Sequence, residues 1–279
     1  MTDDTFSIGE HTVSRLGFGA MRITGEGIWG WPDDRDGARA LLRRVAELGI
    51  HLIDTADAYG PETSEYLLAD ALHPYPDLLV ATKGGLERSG PGDWSTNGRP
   101  AHLRIACHNS LRRLQVDTIE LYQLHAVDDD VPLEDSVGEL VRLQEEGKIR
   151  HVGLCNVSVD QLDRARELVD VVTVQNRYNL GDRAHEAVLD RCEELGIGFI
   201  PWYPLAAGDL TGTDAFQEIA ERHDATPAQL ALAWLLHRSP VMLPIPGTSS
   251  VAHLEQNTKA RELSLTDDEV ATLAELAKG

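Results

Sequence analysis

The sequence predicts an α/β fold, a parallel (β/α)8 barrel of the TIM-barrel class, and three observations predict it. Short apolar runs alternate with amphipathic helical patterns along the whole chain. No linker-like stretch interrupts the alternation. A length of 279 residues is one at which such barrels occur as one domain. The expectation is therefore a single domain over residues 1–279.

The strand candidates are residues 16–19, 52–54, 79–83, 119–125, 152–156, 171–175, 197–203 and 241–244, which supply the eight strands that closure requires. Between them, apolar residues recur at i, i+3 and i+4. Residues 38–48 put Leu41, Leu42, Val45 and Leu48 on one face and Arg43, Arg44 and Glu47 on the other. Residues 134–146 do the same with Val137, Leu140, Val141 and Leu143. Asp36 reads as the cap of the first helix, and Gly49 and Gly147 stand where helices commonly end in left-handed backbone. Pro227 opens another helix that runs to Arg238; proline suits a first turn, where an N–H has no helical partner. Residues 5–8 and 12–15 flank Gly9-Glu10 and read as an N-terminal β-hairpin closing the barrel floor. A doubly wound open sheet is the competing architecture. Its nucleotide-binding versions carry GxGxxG after the first strand, whereas here that strand ends Gly17-Phe18-Gly19-Ala20-Met21.

Composition narrows the function. The chain has 46 acidic against 25 basic residues, a net charge of −21. That field repels phosphodiester backbones and anionic lipid, so neither nucleic acid nor membrane is expected as a partner. No apolar run reaches the ~18 residues of a membrane span. The acidic start, Met1-Thr2-Asp3-Asp4, lacks the plan of a signal peptide. Cys107, Cys155 and Cys192 are scattered and form no metal spacing, which suits a reducing cytoplasm. The expectation is a cytoplasmic monomer without a metal.

In such a barrel the active site lies where the strands end. Those ends offer Asp54 with Tyr59 just beyond it, then Lys83, His125, Asn156, Gln175-Asn176 and Trp202-Tyr203. Each has an ordinary explanation alone: a turn cap, a mouth filler, a solvated amine, a satisfied core histidine. Together they make a coherent proton donor. A phenol holds its proton with a pKa of ~10, and a nearby ammonium lowers that value. A carboxylate keeps the ammonium charged and aimed. A histidine within reach orients a carbonyl oxygen toward the phenol. No metal ligands stand nearby, so the electron pair is expected from a bound reductant.

These residues carry a resemblance to the aldo-keto reductases over nearly the whole chain. Leu16-Gly17-Phe18-Gly19-Ala20-Met21 resembles that family's first strand, and Asp54-Thr55-Ala56-Asp57-Ala58-Tyr59-Gly60 its Asp–Tyr signature. Lys83 and His125 fall where its other two tetrad members belong. Val152-Gly153-Leu154-Cys155-Asn156 is similar to its glycine-x-serine-asparagine strand, with Cys155 where serine is commoner. The segment from Ile245-Pro246-Gly247-Thr248-Ser249-Ser250 to Asn257 looks like its dinucleotide-binding segment.

The resemblance implies that Tyr59 is the general acid, Lys83 its modulator, Asp54 the partner of Lys83 and His125 the carbonyl-orienting residue. It implies that Asn156 and Gln175 bind the nicotinamide carboxamide and that Trp202 stacks on the ring. Gly19, Ala20, Met21 and Asp54 would sit beside the cofactor, and Tyr203, Pro204 and Leu205 along its pyrophosphate. Ile245, Gly247, Thr248, Ser249, His253, Gln256 and Asn257 would hold the adenosine end. Thr248, Ser249 and Ser250 stand at a helix start, a natural anion site, though serine also serves there as an ordinary cap. His253 and Gly247 replace the Arg and Lys with which many members clasp a 2′-phosphate. NADP(H) is the cofactor implied, with NAD(H) as the alternative.

The loops that read substrate look short. Residues 126–132 and 206–212 are brief, and the last helical pattern ends near Gly279, so an open mouth without a long flap is expected. The longest insert is 84–100, with Trp94; together with Trp29 and Trp31 it is the candidate aromatic wall for substrate. Several segments most resemble bacterial members related to pyridoxal reductases, so a pyridoxal-type aromatic aldehyde stands beside general aldehyde reduction. Two other classes compete: a Schiff-base aldolase or lyase using Lys83, and a non-catalytic cofactor-sensing subunit.

Overall fold

Period-two alternation decides which side chains fill the barrel and which face the helices. The structure, a computed structural model, describes residues 4–205 and 214–276. The loop expected at 206–212 and the chain end at Gly279 lie outside them. The strands are β1 (Thr5–Ile8), β2 (His11–Ser14), β3 (Phe18–Gly19), β4 (Leu52–Asp54), β5 (Leu79–Gly84), β6 (Leu86–Gly90), β7 (Asp93–Thr96), β8 (Ile119–Leu124), β9 (Ile149–Cys155), β10 (Val171–Arg177) and β11 (Gly198–Trp202). Seven of them form one parallel sheet in the order β3-β4-β5-β8-β9-β10-β11.

The eighth strand expected at 241–244 is not a regular one. The segment closes the barrel through single hydrogen bonds. Phe199 N–H donates to the Val241 carbonyl at 2.8 Å, Leu243 N–H to that of Phe199 at 2.8 Å, and Gly17 N–H to that of Pro244 at 2.9 Å. Pro244 and Pro246 have no N–H to give, so no full ladder can form there.

The helices are α1 (Arg35–Glu47), α2 (Thr63–Leu72), α3 (Pro100–Leu114), α4 (Leu133–Glu145), α5 (Val159–Arg166), α6 (Glu186–Leu195), α7 (Asp214–Arg222), α8 (Pro227–Arg238), α9 (Val251–Thr258) and α10 (Asp267–Leu276). The cap of α1 is Asp34, not Asp36: its carboxylate accepts from Gly37 N–H at 2.7 Å, and Asp36 sits inside the first turn. Thr226 and Gln229 form a reciprocal capping box around Pro227. Among the described residues no helix is long and apolar enough to cross a membrane.

Two cores result. Outward residues such as Ile53, Val80, Tyr122, Leu124 and Val174 pack beneath the helices. Inward residues Leu52, Leu79, Ala81, Leu121, Ile200, Leu243 and Ile245 fill the lumen. The β1–β2 hairpin drives Ile8 and Val13 into the bottom of that lumen. Each is essentially fully buried, and burial of such a side chain contributes roughly 1.5–3 kcal/mol. The insert at 84–100 is a second hairpin, β6 against β7, which the sequence did not suggest. Its strands are mostly solvent-facing and carry little apolar alternation.

Candidate active site

The expected polar residues occupy inward positions where the strands end. On β4, Leu52 and Asp54 point in and Ile53 out. On β5, Leu79, Ala81 and Lys83 point in, and Thr82 turns out to donate to Glu65 Oε1 at 2.5 Å. Gln123 of β8 and Gln175 of β10 also point in. Asn176 faces out and is spent holding the backbone of Val157.

Lys83 is the hub. Its Nζ donates to Asp54 Oδ2 at 2.6 Å, to the Thr55 carbonyl at 2.9 Å and to the Tyr59 hydroxyl at 3.2 Å. The other carboxylate oxygen of Asp54 accepts from Gln175 Nε2 at 2.8 Å and Gln123 Nε2 at 3.1 Å. His125 follows β8 directly, with its ring centroid 5.7 Å from that of Tyr59 and the two rings nearly perpendicular. The structure thus brings Asp54, Tyr59, Lys83 and His125 together.

Burial raises the Tyr59 phenol to about 12, against the pull of Lys83. Lys83 lowers it as expected, but desolvation, which the sequence does not show, disfavours the phenolate more than Lys83 favours it. Lys83 itself loses stabilisation of its charge by burial, but Asp54 and then Tyr59 overcome this and the net shift is upward. His125 lies well below an ordinary imidazole, first through burial and then through the charge on Lys83. Its ring is therefore neutral at physiological pH, and its Nδ1 is buried without a partner.

A cleft of about 620 Å³ opens over these groups, within the range of ligand pockets. Asp54, Tyr59, His125 and Trp94 lie in its wall, as do Gly19, Met21, Asn156, Gln175 and Trp202. Tyr203, Pro204, Leu205, Ile245 and Gly247 extend it. Asn156 adopts left-handed backbone with φ of 57°, a conformation asparagine tolerates. Its Nδ2 donates to the His125 carbonyl at 3.1 Å, and its Oδ1 accepts from Trp202 Nε1 at 2.8 Å, which fixes the indole.

Other expected residues stand elsewhere. Ala20 is buried and is not in the cleft wall. Thr248, Ser249, His253, Gln256 and Asn257 lie past Gly247, on and before α9, outside the cleft wall. Ser250 caps α9, its hydroxyl accepting from His253 N–H at 3.4 Å, and Asn257 is buried. Trp29 and Trp31 are not among the residues of the cleft wall. Trp29 bridges Gly60, and Trp31 stacks on Tyr66 with ring centroids 6.3 Å apart. Arg35 lies over the Trp31 ring at 4.2 Å and Arg88 over that of Trp29 at 5.5 Å.

Sequence reasoning missed Arg22 and Leu86, which line the cleft, and Gln123 beneath it. Gln123 was readable, being two residues before His125 on the same inward phase. Arg22 was not, since its place in the wall depends on how the turn after β3 meets the distant segment at Gly247: a Cβ on Gly247 would lie 3.5 Å from Arg22 Cγ.

A second depression, about 630 Å³, lies at the opposite end beside Glu10, His11 and Glu120. These three are the one group of potential metal ligands among the described residues. Arg150 already pairs with both carboxylates, at 2.7 Å to Glu120 and 3.2 Å to Glu10. The strand-end chemistry belongs to the first cleft.

Comparison with known proteins fits that geometry. The model of the Aldo/keto reductase family matches residues 15–278. The chain belongs to the aldo/keto reductase family. This reductase is 50% identical to an uncharacterized oxidoreductase of Schizosaccharomyces pombe, over 98% of this chain and 90% of that protein. It is 40% identical to pyridoxine 4-dehydrogenase of Escherichia coli strain K12, over 98% of each. The solved structure of an aldo-keto reductase from Klebsiella pneumoniae in complex with NADPH matches it with a TM-score of 0.84 at 28% identity, over 99% of this chain and 95% of the other. The reductase is accordingly an oxidoreductase with a barrel fold, and the open-sheet alternative falls.

Proposed function

We propose that this reductase converts an aldehyde or ketone to the alcohol with NADP(H), Tyr59 acting as general acid. The observation that carries this is the 3.2 Å hydrogen bond from Lys83 to the Tyr59 hydroxyl in the wall of the cleft. When bound, the reduced nicotinamide supplies a hydride to the carbonyl carbon. The chain's own residues do the rest. Tyr59 holds a proton that burial keeps on the oxygen, and gives it to the carbonyl oxygen as negative charge develops there. Lys83 then stabilises the phenolate, held as a cation by Asp54. Neutral His125 hydrogen-bonds the carbonyl oxygen and turns it toward Tyr59.

The residues present fit a dinucleotide. A Cβ on Gly19 would lie 2.8 Å from the Ile245 carbonyl oxygen, and one on Gly247 2.8 Å from that of Gly19. The two segments meet as bare backbone, and Gly19, Ile245 and Gly247 all line the cleft. Asn156, Gln175 and Trp202 would hold the nicotinamide end. Arg22, exposed on that wall, offers an anionic cofactor the cation that His253 and Gly247 do not.

A pyridoxal-type aromatic aldehyde is the substrate class favoured. The name of the Escherichia coli relative and the indole of Trp94 in the cleft wall beside Tyr59 support it. A Schiff-base role for Lys83 is disfavoured, because its three N–H groups are all donated and its nitrogen has no free lone pair. The test is consumption of NADPH with pyridoxal, benzaldehyde and short aliphatic aldehydes. An enzyme that binds NADPH yet turns over none of them would refute the proposal.

A further inference from the structure

Arg88 of β6 takes no part in the chemistry above and does not line the cleft, yet all of its N–H groups are committed to backbone carbonyls. Nε donates to the Asp93 carbonyl at 3.0 Å, Nη1 to those of Ile28 at 3.0 Å and Ala58 at 3.1 Å, and Nη2 to those of Gly27 at 3.2 Å and Gly90 at 3.3 Å. One guanidinium thus ties together three separate segments: the loop before α1, the β6–β7 turn, and the residue preceding Tyr59. Its flat face also lies 3.7 Å from the ring centroid of Trp94. Trp94 in turn meets Tyr59 edge-on, with ring centroids 6.4 Å apart and planes at 80°.

We infer that Arg88 is the positioning residue of the substrate wall: it clamps the three segments and holds Trp94 edge-on to Tyr59, so that the mouth favours flat aromatic carbonyls over small aliphatic ones. This rests on the reading that the reacting carbonyl sits at Tyr59. Planarity is what the role requires. A lysine ammonium keeps the charge but has three donors at one point and no face to lay on an indole.

The test uses Arg88→Lys, Trp94→Ala and the double variant of the whole chain, assayed with benzaldehyde and propanal. Each single variant is expected to raise KM for benzaldehyde about tenfold, the scale of one lost aromatic contact. The rise in KM should be larger for benzaldehyde than for propanal by at least about threefold in each single variant, and the double variant should be no worse than either single. Hydrogen exchange should quicken together at residues 27–30 and 57–60 in Arg88→Lys. Equal KM increases for both aldehydes, or effects that multiply in the double variant, would overturn the inference. If the unaltered enzyme reduced neither aldehyde, the carbonyl-reductase reading would fall, while unchanged exchange in those segments would separately reject the clamp.

Discussion

Lys83 and Asp54 lie 2.6 Å apart in the barrel, with 0% and 2% of their side chains exposed. A buried ion pair is sustained only where its remaining hydrogen-bonding capacity is filled. Here Gln123 and Gln175 fill that of Asp54, and Thr55 and Tyr59 fill that of Lys83. The two amides are as much a part of the charge balance as the ions they serve.

Asp54→Asn leaves the Lys83 cation buried without its counter-charge. Urea unfolding should show a loss of about 3–5 kcal/mol. Because the folded pKa of Lys83 is raised, the stabilisation is complete below the ordinary lysine value of ~10.4 and is lost as pH rises through the higher folded value. The gap between the two proteins should therefore be constant through neutral pH and narrow only in strong alkali.

Tyr59→Phe removes the proton donor and little volume. Turnover with an aromatic aldehyde should fall by about 10²–10⁴-fold, the usual worth of a general acid. NADPH affinity, followed by quenching of tryptophan fluorescence, should be unchanged. Retained turnover would reject the assignment.

The phenol at about 12 and the depressed imidazole give a definite pH profile. Loss of the Tyr59 proton slows reduction, so kcat falls as pH rises, but only on approach to that value. Protonation of His125 would slow it on the acid side, but only well below the ordinary imidazole pKa of ~6.5. Measured kcat should be level from about pH 6.5 to 9. An inflection inside that window would contradict a neutral His125 or a tightly held Tyr59 proton.

Arg22→Glu reverses the charge on the cleft wall beside Gly247. NADPH should bind about tenfold more weakly, with the gap shrinking as salt is added. NADH, which lacks the extra phosphate, should lose less. Equal losses would place Arg22 away from that phosphate.

Much of this was legible in the chain. Leu79, Ala81 and Lys83 share one phase of β5, and two of the three are apolar, so the strand's inward face was readable together with its terminal amine. The same logic placed Asp54 after Leu52 and His125 after Leu121 and Gln123. It had nothing to say of Trp29 and Trp31, which are not in the cleft wall, because a loop residue has no periodicity to say which way it faces. It failed for the strand at 241–244, where apolar residues suggested a ladder that the prolines preclude.

Local order along the chain was sufficient for the barrel and for a carboxylate, a phenol, an amine and an imidazole on one rim, because side-chain period and strand succession are properties of neighbouring residues. The ionisation of those groups and the hydrogen bonds of Arg88 came from contacts between distant segments. Asp54 meets Gln175 from 121 positions away, and Arg88 reaches back 61 positions to Gly27. Burial and Coulomb interaction depend on distance in space, which the spacing of letters does not record.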